Sequence, residues 1–231
     1  MFTENQTMNF NNTINQLLNS EEPSIRWKTL VNVLGENPDS PKIKKLQLEI
    51  KNSPRVKALL VNKQSNGKIT SLRNVYDKWQ GAHWILASLA DIGYPSGDKS
   101  LFSARDQILN YWLSDYYYKE FDVQSKEKSY LKAGVPVMQG RYRRCASQQG
   151  NALYMLLKLG LDSERIENLV ERLLHWQWPD GGWNCDRNPS ADSSSFMETL
   201  LPLRGLAHYT KLKKSKKAKD AAKKAAEVFL S

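Results

Sequence analysis

Apolar positions recur along most of the chain with helical spacing. Ile166, Leu169, Val170, Leu173 and Leu174 fall at i, i+3, i+4, i+7 and i+8, which predicts a helix with one buried stripe over 163–176. Trp84, Ile85, Leu86 and Leu89 predict a helix over 83–93, and Leu153, Leu156, Leu157 and Leu159 one over 145–160. Both are apolar around more of the circumference, as helices enclosed on several sides are. A further helix is expected to open at Pro23-Ser24-Ile25-Arg26-Trp27, with proline in its first turn and Gly35 at its end. Strand-like alternation is confined to Val135-Pro136-Val137, where Pro136 argues against a central strand. Residues 1–20, rich in Asn, Gln, Thr and Ser, read as a polar tail running into a short helix. The expected fold class is all-α.

The helices also repeat in kind. An amphipathic helix over 41–62 leads through a loop to the apolar helix at 83–93. Another over 101–118 leads to the apolar helix at 145–160, and the one over 163–176 leads to an apolar helix ending near Tyr209. Half-buried and fully buried helices thus alternate, which suggests apolar helices inside and amphipathic ones outside in a curved helical array. The expected organisation is a tail at 1–20, one helical domain at 21–210 and a Lys/Ala-rich helix within 211–231. That last helix, 216–230, has no inner partner. The array is then an open ring, a ring completed by another copy, or a shortened form of a longer design.

Composition supports a folded chain: 231 residues, 40% hydrophobic and 10% aromatic, with seven Trp. The net charge of +10 is unevenly spread. Residues 211–224 carry eight Lys and one Asp, so +7 of the +10 lies there and +3 remains for the rest. An exposed outer helix explains this segment, with contact to an anionic membrane surface as the runner-up. Nucleic acid is not expected, because no aromatic-interleaved basic motif is present. The longest apolar runs, 84–90 and 153–161, are far shorter than the ~20 residues of a membrane span. The opening residues lack the basic and apolar regions of a secretory leader, which makes cytoplasmic the expected location, peripheral to a membrane if the lysine segment attaches. Cys145 and Cys185, the two cysteines, are expected to be free or metal-bound in such a compartment.

Gln177-Trp178-Pro179-Asp180-Gly181-Gly182-Trp183 resembles the QW-type repeat, Gln-x-x-Asp-Gly-Gly-Trp/Phe, of squalene cyclases and protein prenyltransferase β subunits, and Gln64-Ser65-Asn66-Gly67 resembles a degenerate copy. Counting the helix alternation, the resemblance covers roughly 40–210. It implies an α/α toroid, here a partial double ring around a central apolar cavity. It also implies an isoprenoid-handling protein that binds a prenyl or terpenoid chain and transfers or cyclises it. The alternative is a non-catalytic helical scaffold or a truncated inactive relative. In the repeat itself, Gln177, Asp180, Gly181, Gly182 and Trp183 read as a structural corner. Asp180 would accept backbone N–H bonds, the glycines permit a tight turn, and Trp183 covers the end of the core.

Whether the chain is an enzyme is left open by the chemistry. The Asp-x-Asp-Asp proton donor of the class II cyclases does not occur, and the prenyltransferase Asp-x-Cys-Tyr pattern is missing too. In an α/α ring, the N-termini of inner helices share one rim, which brings His83, Cys145 and Cys185 there as candidate ligands for zinc. The competing reading makes the cysteines small packed residues and His83 a helix-end residue. Arg143 and Arg144, just before an inner helix, are candidates for a substrate diphosphate. Trp84 and Trp183 are the expected walls of an apolar binding site.

Overall fold

The structure, a computed structural model, describes residues 4–230, with side chains from Phe10 onward. Met1–Thr3, which open the polar N-terminal segment, and Ser231 lie outside the described residues. The segment expected to be a tail is largely a helix, α1 (Glu4–Leu18). It is followed by α2 (Pro23–Lys28), which continues into a π-helical turn (Thr29–Val33), by α3 (Pro41–Asn52) and by α4 (Pro54–Leu59). The single helix expected over 41–62 is broken at Ser53, which is extended (ψ 153°) because proline follows it. Ser53 then caps α4 by accepting a hydrogen bond from the Val56 N–H at 3.3 Å.

The remaining helices are α5 (Ala82–Asp91), α6 (Phe102–Trp112), the short α7 (Lys126–Ser129), α8 (Ala146–Lys158), α9 (Ile166–His175), α10 (Phe196–Lys213) and α11 (Lys216–Glu227). A small sheet interrupts them, ordered β1 (Glu120–Asp122), β2 (Val135–Met138) and β3 (Arg141–Tyr142). Val135-Pro136-Val137 is its central strand, against expectation. The Val135 N–H and the Val137 carbonyl face β1, while on the β3 side Pro136 offers only its carbonyl, to the Arg143 N–H at 2.8 Å. The missing proline donor therefore falls where the ladder needs none. Gln139 and Gly140 (φ 49° and 69°) turn β2 into β3 in the left-handed conformation that tight hairpins use.

The apolar helices α5, α8 and α10 run parallel. His83 at the start of α5 lies beside Asn151 of α8, and Asp91 at its end pairs with Arg204 of α10 at 2.9 Å. Along α8 and α10, Ser147 meets Glu198, Gly150 meets Pro202 and Tyr154 stacks on His208. The amphipathic helices return antiparallel around them. Trp112 at the end of α6 reaches His83, and Glu167 at the start of α9 reaches Tyr209 near the end of α10. The fold is thus mostly helical, and α10, expected to be enclosed, exposes Phe196, Met197, Leu200 and Leu212.

Between α8 and α10 the packing is closer than side chains permit. A Cβ on Gly150 would lie 2.3 Å from the Pro202 nitrogen, and one on Gly205 would lie 2.7 Å from the Gly150 carbonyl oxygen. Backbone meets backbone, which leaves no room between these two helices for an apolar ligand. Surface hollows of about 520 and 540 Å3 lie instead at outer elements, one lined by Lys63, Gln64 and Ser103, the other by Tyr118, Arg172 and His175. Helix α10 runs through the boundary expected at 210. Helix α11 buries Ala218, Ala221, Ala222 and Ala225 and exposes its lysines, as an outer helix does. Among the described residues, no helix is long and apolar enough to cross a membrane.

Candidate metal centre

The corner at 177–183 joins the end of α9 to the middle of α11 and to the loop that leads into α10. The Gln177 amide nitrogen donates to the Gly181 carbonyl at 2.7 Å and to the Ala221 carbonyl of α11 at 2.9 Å. Gly181 has φ 102°, and a Cβ there would lie 2.5 Å from the Lys224 carbonyl oxygen. The Asp180 carboxylate accepts from both the N–H and the hydroxyl of Ser194 at 2.6 Å, which ties down the far end of the 184–195 loop. Trp183 is buried, with its ring N–H on the Leu173 carbonyl at 3.0 Å. It fills the core instead of walling a binding site. Trp84 is half-buried under the exposed Trp79, their ring centroids 4.9 Å apart.

Where the corner delivers its loop, the chain around Arg144 runs alongside the chain around Asn184. Arg143 and Asn184 form a parallel bridge, and the Arg144 N–H donates to the Asn184 carbonyl at 3.2 Å. One residue further on each side, Cys145 precedes α8 and Cys185 enters the loop. Their sulfurs and a carboxylate oxygen of Glu198, in the first turn of α10, all lie within 4.8 Å of one another. Both thiols are free and partly exposed.

Glu198 is held from both ends. Its Oε2 accepts from the Ser147 N–H at 3.0 Å, one of the donors that the first turn of α8 leaves without a helical partner. Its Oε1 faces the Cys185 sulfur at 3.5 Å. The Cys145 thiol is pulled below its ordinary value, first by the hydrogen bond from Cys185, then by Arg144 and Arg187 working against burial and Glu198. Cys185 is pushed up, first by its hydrogen bond to Cys145 and then by burial and Glu198.

His83 stands apart from this trio. Trp112 Nε1 can only donate, and it does so to His83 Nδ1 at 3.0 Å, which places the imidazole proton on Nε2; Asn151 accepts that proton only with its side-chain amide turned so that the oxygen takes the place of the nitrogen, 3.3 Å away. Burial pushes its pKa down to about 3, and Tyr76 and Trp112 pack edge-on to the ring. Of the expected candidates, Cys145 and Cys185 come together, with Glu198 as their third neighbour, whereas His83 is buried with its Nδ1 taken by Trp112 and is not part of the group.

The arginines expected to hold a diphosphate are also turned inward. Arg143 donates to the Ala191 and Pro189 carbonyls at 2.8 and 3.3 Å and stacks on Trp178, 4.7 Å from its ring centroid. Arg144 is buried against Tyr117, Trp112 and Trp176. With the Gln149 amide oxygen turned toward it, Gln149 accepts from Arg144 Nε and Nη2 at 3.1 and 2.6 Å and donates to the Cys145 carbonyl at 3.2 Å. Burial pushes the Arg144 guanidinium down, and the acidic groups of Cys145 and Glu198 beside it work the other way.

Glu198 was not legible as a ligand. Ser195-Phe196-Met197-Glu198 has the spacing of a capping box, which assigns the carboxylate to its own helix. Ser195 makes no such cap, and the carboxylate crosses to α8 instead. Compared with models of known families, with curated proteins and with solved structures, the chain matches none of them.

Proposed function

We propose that this chain is an arc of an α/α toroid, of the squalene cyclase and prenyltransferase type, that handles an isoprenoid chain beside a zinc ion held by Cys145, Cys185 and Glu198. The observation that carries the reading is the convergence of these three ligands from separate segments onto one rim of the parallel helices. Two thiols and a carboxylate suit zinc, and three protein ligands leave a coordination position open. Zinc there would keep both sulfurs as thiolates and polarise a group entering the open position. Glu198, anchored through the Ser147 N–H, sets the carboxylate, and Arg144 balances the thiolate charge.

Because α8 and α10 touch backbone to backbone, this reading puts the apolar chain at the rim and not between them. There, Trp79 precedes α5, and Phe196, Met197 and Leu200 lie on the first turns of α10, all well exposed. One observation favours the second reading, a non-catalytic scaffold: Arg143 and Arg144 are both engaged in holding the rim together.

Reduced, metal-free protein titrated with zinc against a chromophoric chelator should take up one equivalent, and Cys145→Ala, Cys185→Ala and Glu198→Gln should each weaken uptake at least tenfold. Uptake unchanged in the double cysteine variant would end the metal reading. Geranylgeranyl diphosphate should raise the melting temperature of the zinc-loaded protein, since a ligand at 100 times its Kd adds about 2.7 kcal/mol. No shift at millimolar ligand would favour the scaffold.

A further inference from the structure

The candidate metal centre has a feature that zinc binding does not use: its two sulfurs lie within 4.8 Å of each other. Cys145 and Cys185 are the two cysteines of the chain, so neither has another thiol of the same molecule to pair with. They follow backbone segments that lie side by side, through the Arg143–Asn184 bridge and the bond from the Arg144 N–H to the Asn184 carbonyl. Their sulfurs lie within 4.8 Å, and both are partly exposed. A disulfide needs Cβ atoms roughly 3.5–4.5 Å apart. The approach falls to the Cys185 side and the loop that follows it, because Cys145 stands at the first turn of α8. That turn is fixed by Glu198 and packed against α10 through Gly150.

We propose that Cys145 and Cys185 form a reversible disulfide that discharges the metal centre, so that the site alternates between a zinc-loaded dithiol and a metal-free disulfide. This rests on the metal reading above, whose regulation it describes. The oxidant is a low-molecular-weight disulfide, RSSR. One cysteine attacks a sulfur of RSSR, forming a mixed disulfide and releasing one RSH. The second cysteine then attacks the bound protein sulfur, forming the Cys145–Cys185 bond and releasing the second RSH. From the zinc-loaded state two protein thiolates are oxidised, one RSSR is reduced to two RS−, which take up protons from water, and the zinc ion is released to the chelator; from the metal-free dithiol the two thiol protons leave with the two RSH instead. Once the sulfurs are joined, Glu198 is the one ligand left, and a single carboxylate does not hold zinc against a chelator.

The test uses the full chain with oxidised glutathione as RSSR. Three readouts are taken before and after oxidation: free thiols, zinc uptake, and the mass of proteolytic peptides. The expected result is loss of both thiols, a peptide pair joined through Cys145 and Cys185, at least a tenfold loss of zinc uptake, and recovery of all three on reduction. Zinc uptake by the reduced protein, with oxidation stopping at a glutathione adduct or giving bonds between molecules, would overturn this proposal and leave the metal reading standing. Absence of zinc uptake by the reduced protein would overturn the metal reading and its control together. Cys145→Ser and Cys185→Ser, checked for native circular dichroism, should each form the adduct but no internal bond.

Discussion

Replacing Gly150 with alanine tests the packing on which the whole rim depends. In a helix free of neighbours this change is favourable by about 1 kcal/mol, because alanine loses less backbone entropy. Here the new Cβ would sit 2.3 Å from the Pro202 nitrogen and 2.6 Å from the Leu201 carbonyl carbon. Ordinary contact begins near 3.4 Å, so α8 and α10 must part by about 1 Å. All the obstructing atoms belong to the backbone, and none can rotate away. Overpacking of this kind costs roughly 3 kcal/mol at the upper end of its usual range. Set against the propensity gain, a net loss of about 2 kcal/mol is expected. For a chain of this size that lowers the melting temperature by about 4–8 °C. Urea denaturation followed by tryptophan fluorescence measures it directly. The same separation should loosen the Ser147–Glu198 bond three residues earlier and weaken zinc uptake. A Gly150→Ala protein as stable as the parent, or more stable, would show slack between the helices and refute the reasoning.

Three further outcomes are expected. Because His83 is neutral when folded, with its pKa near 3 against an ordinary value of 6.5, the unfolded chain binds the extra proton below 6.5. Stability is then full above pH 6.5 and falls toward pH 3 with a slope of up to about 1.4 kcal/mol per unit from this group. Urea midpoints across that range should fall less steeply in His83→Gln, and parallel curves would remove His83 as the cause. Gln177→Ala leaves the Gly181 and Ala221 carbonyls without their donor and should cost about 1–3 kcal/mol, read by thermal unfolding. Arg143→Lys cannot span the Ala191 and Pro189 carbonyls while stacking on Trp178, so the 184–195 loop should be cut faster by protease. Prenyl diphosphate binding should be unaffected, and a loss confined to that binding would restore Arg143 to the substrate.

Much of the fold was legible from spacing alone. The stripe of α9, the more fully apolar α5 and α8, and the corner at 177–183 all follow from side chains a few residues apart, where helix geometry dictates the neighbours. Errors arose where one local signal met a competing one. Ser53-Pro54 divides an amphipathic run, and Pro136 enters a central strand because one side of that strand requires no donor from it. Within the candidate site, Cys145 and Cys185 could be named from residue type and place in the repeat, whereas Glu198 could not.

Spacing along the chain was enough to set the buried faces of α5, α8 and α9 and the corner at 177–183, though not every helix boundary. Only the tertiary structure decided how closely those helices approach and which side chains meet at their ends. That depends on Gly150 lying against Pro202, and on a carboxylate of α10 satisfying a free N–H of α8 some fifty positions away. The bare glycines bring the backbones together, which draws Glu198 to the two sulfurs. His83 meets Trp112 of α6 and not the two sulfurs, because periodicity sets the face on which a residue lies and says nothing of the distance across which that face meets another.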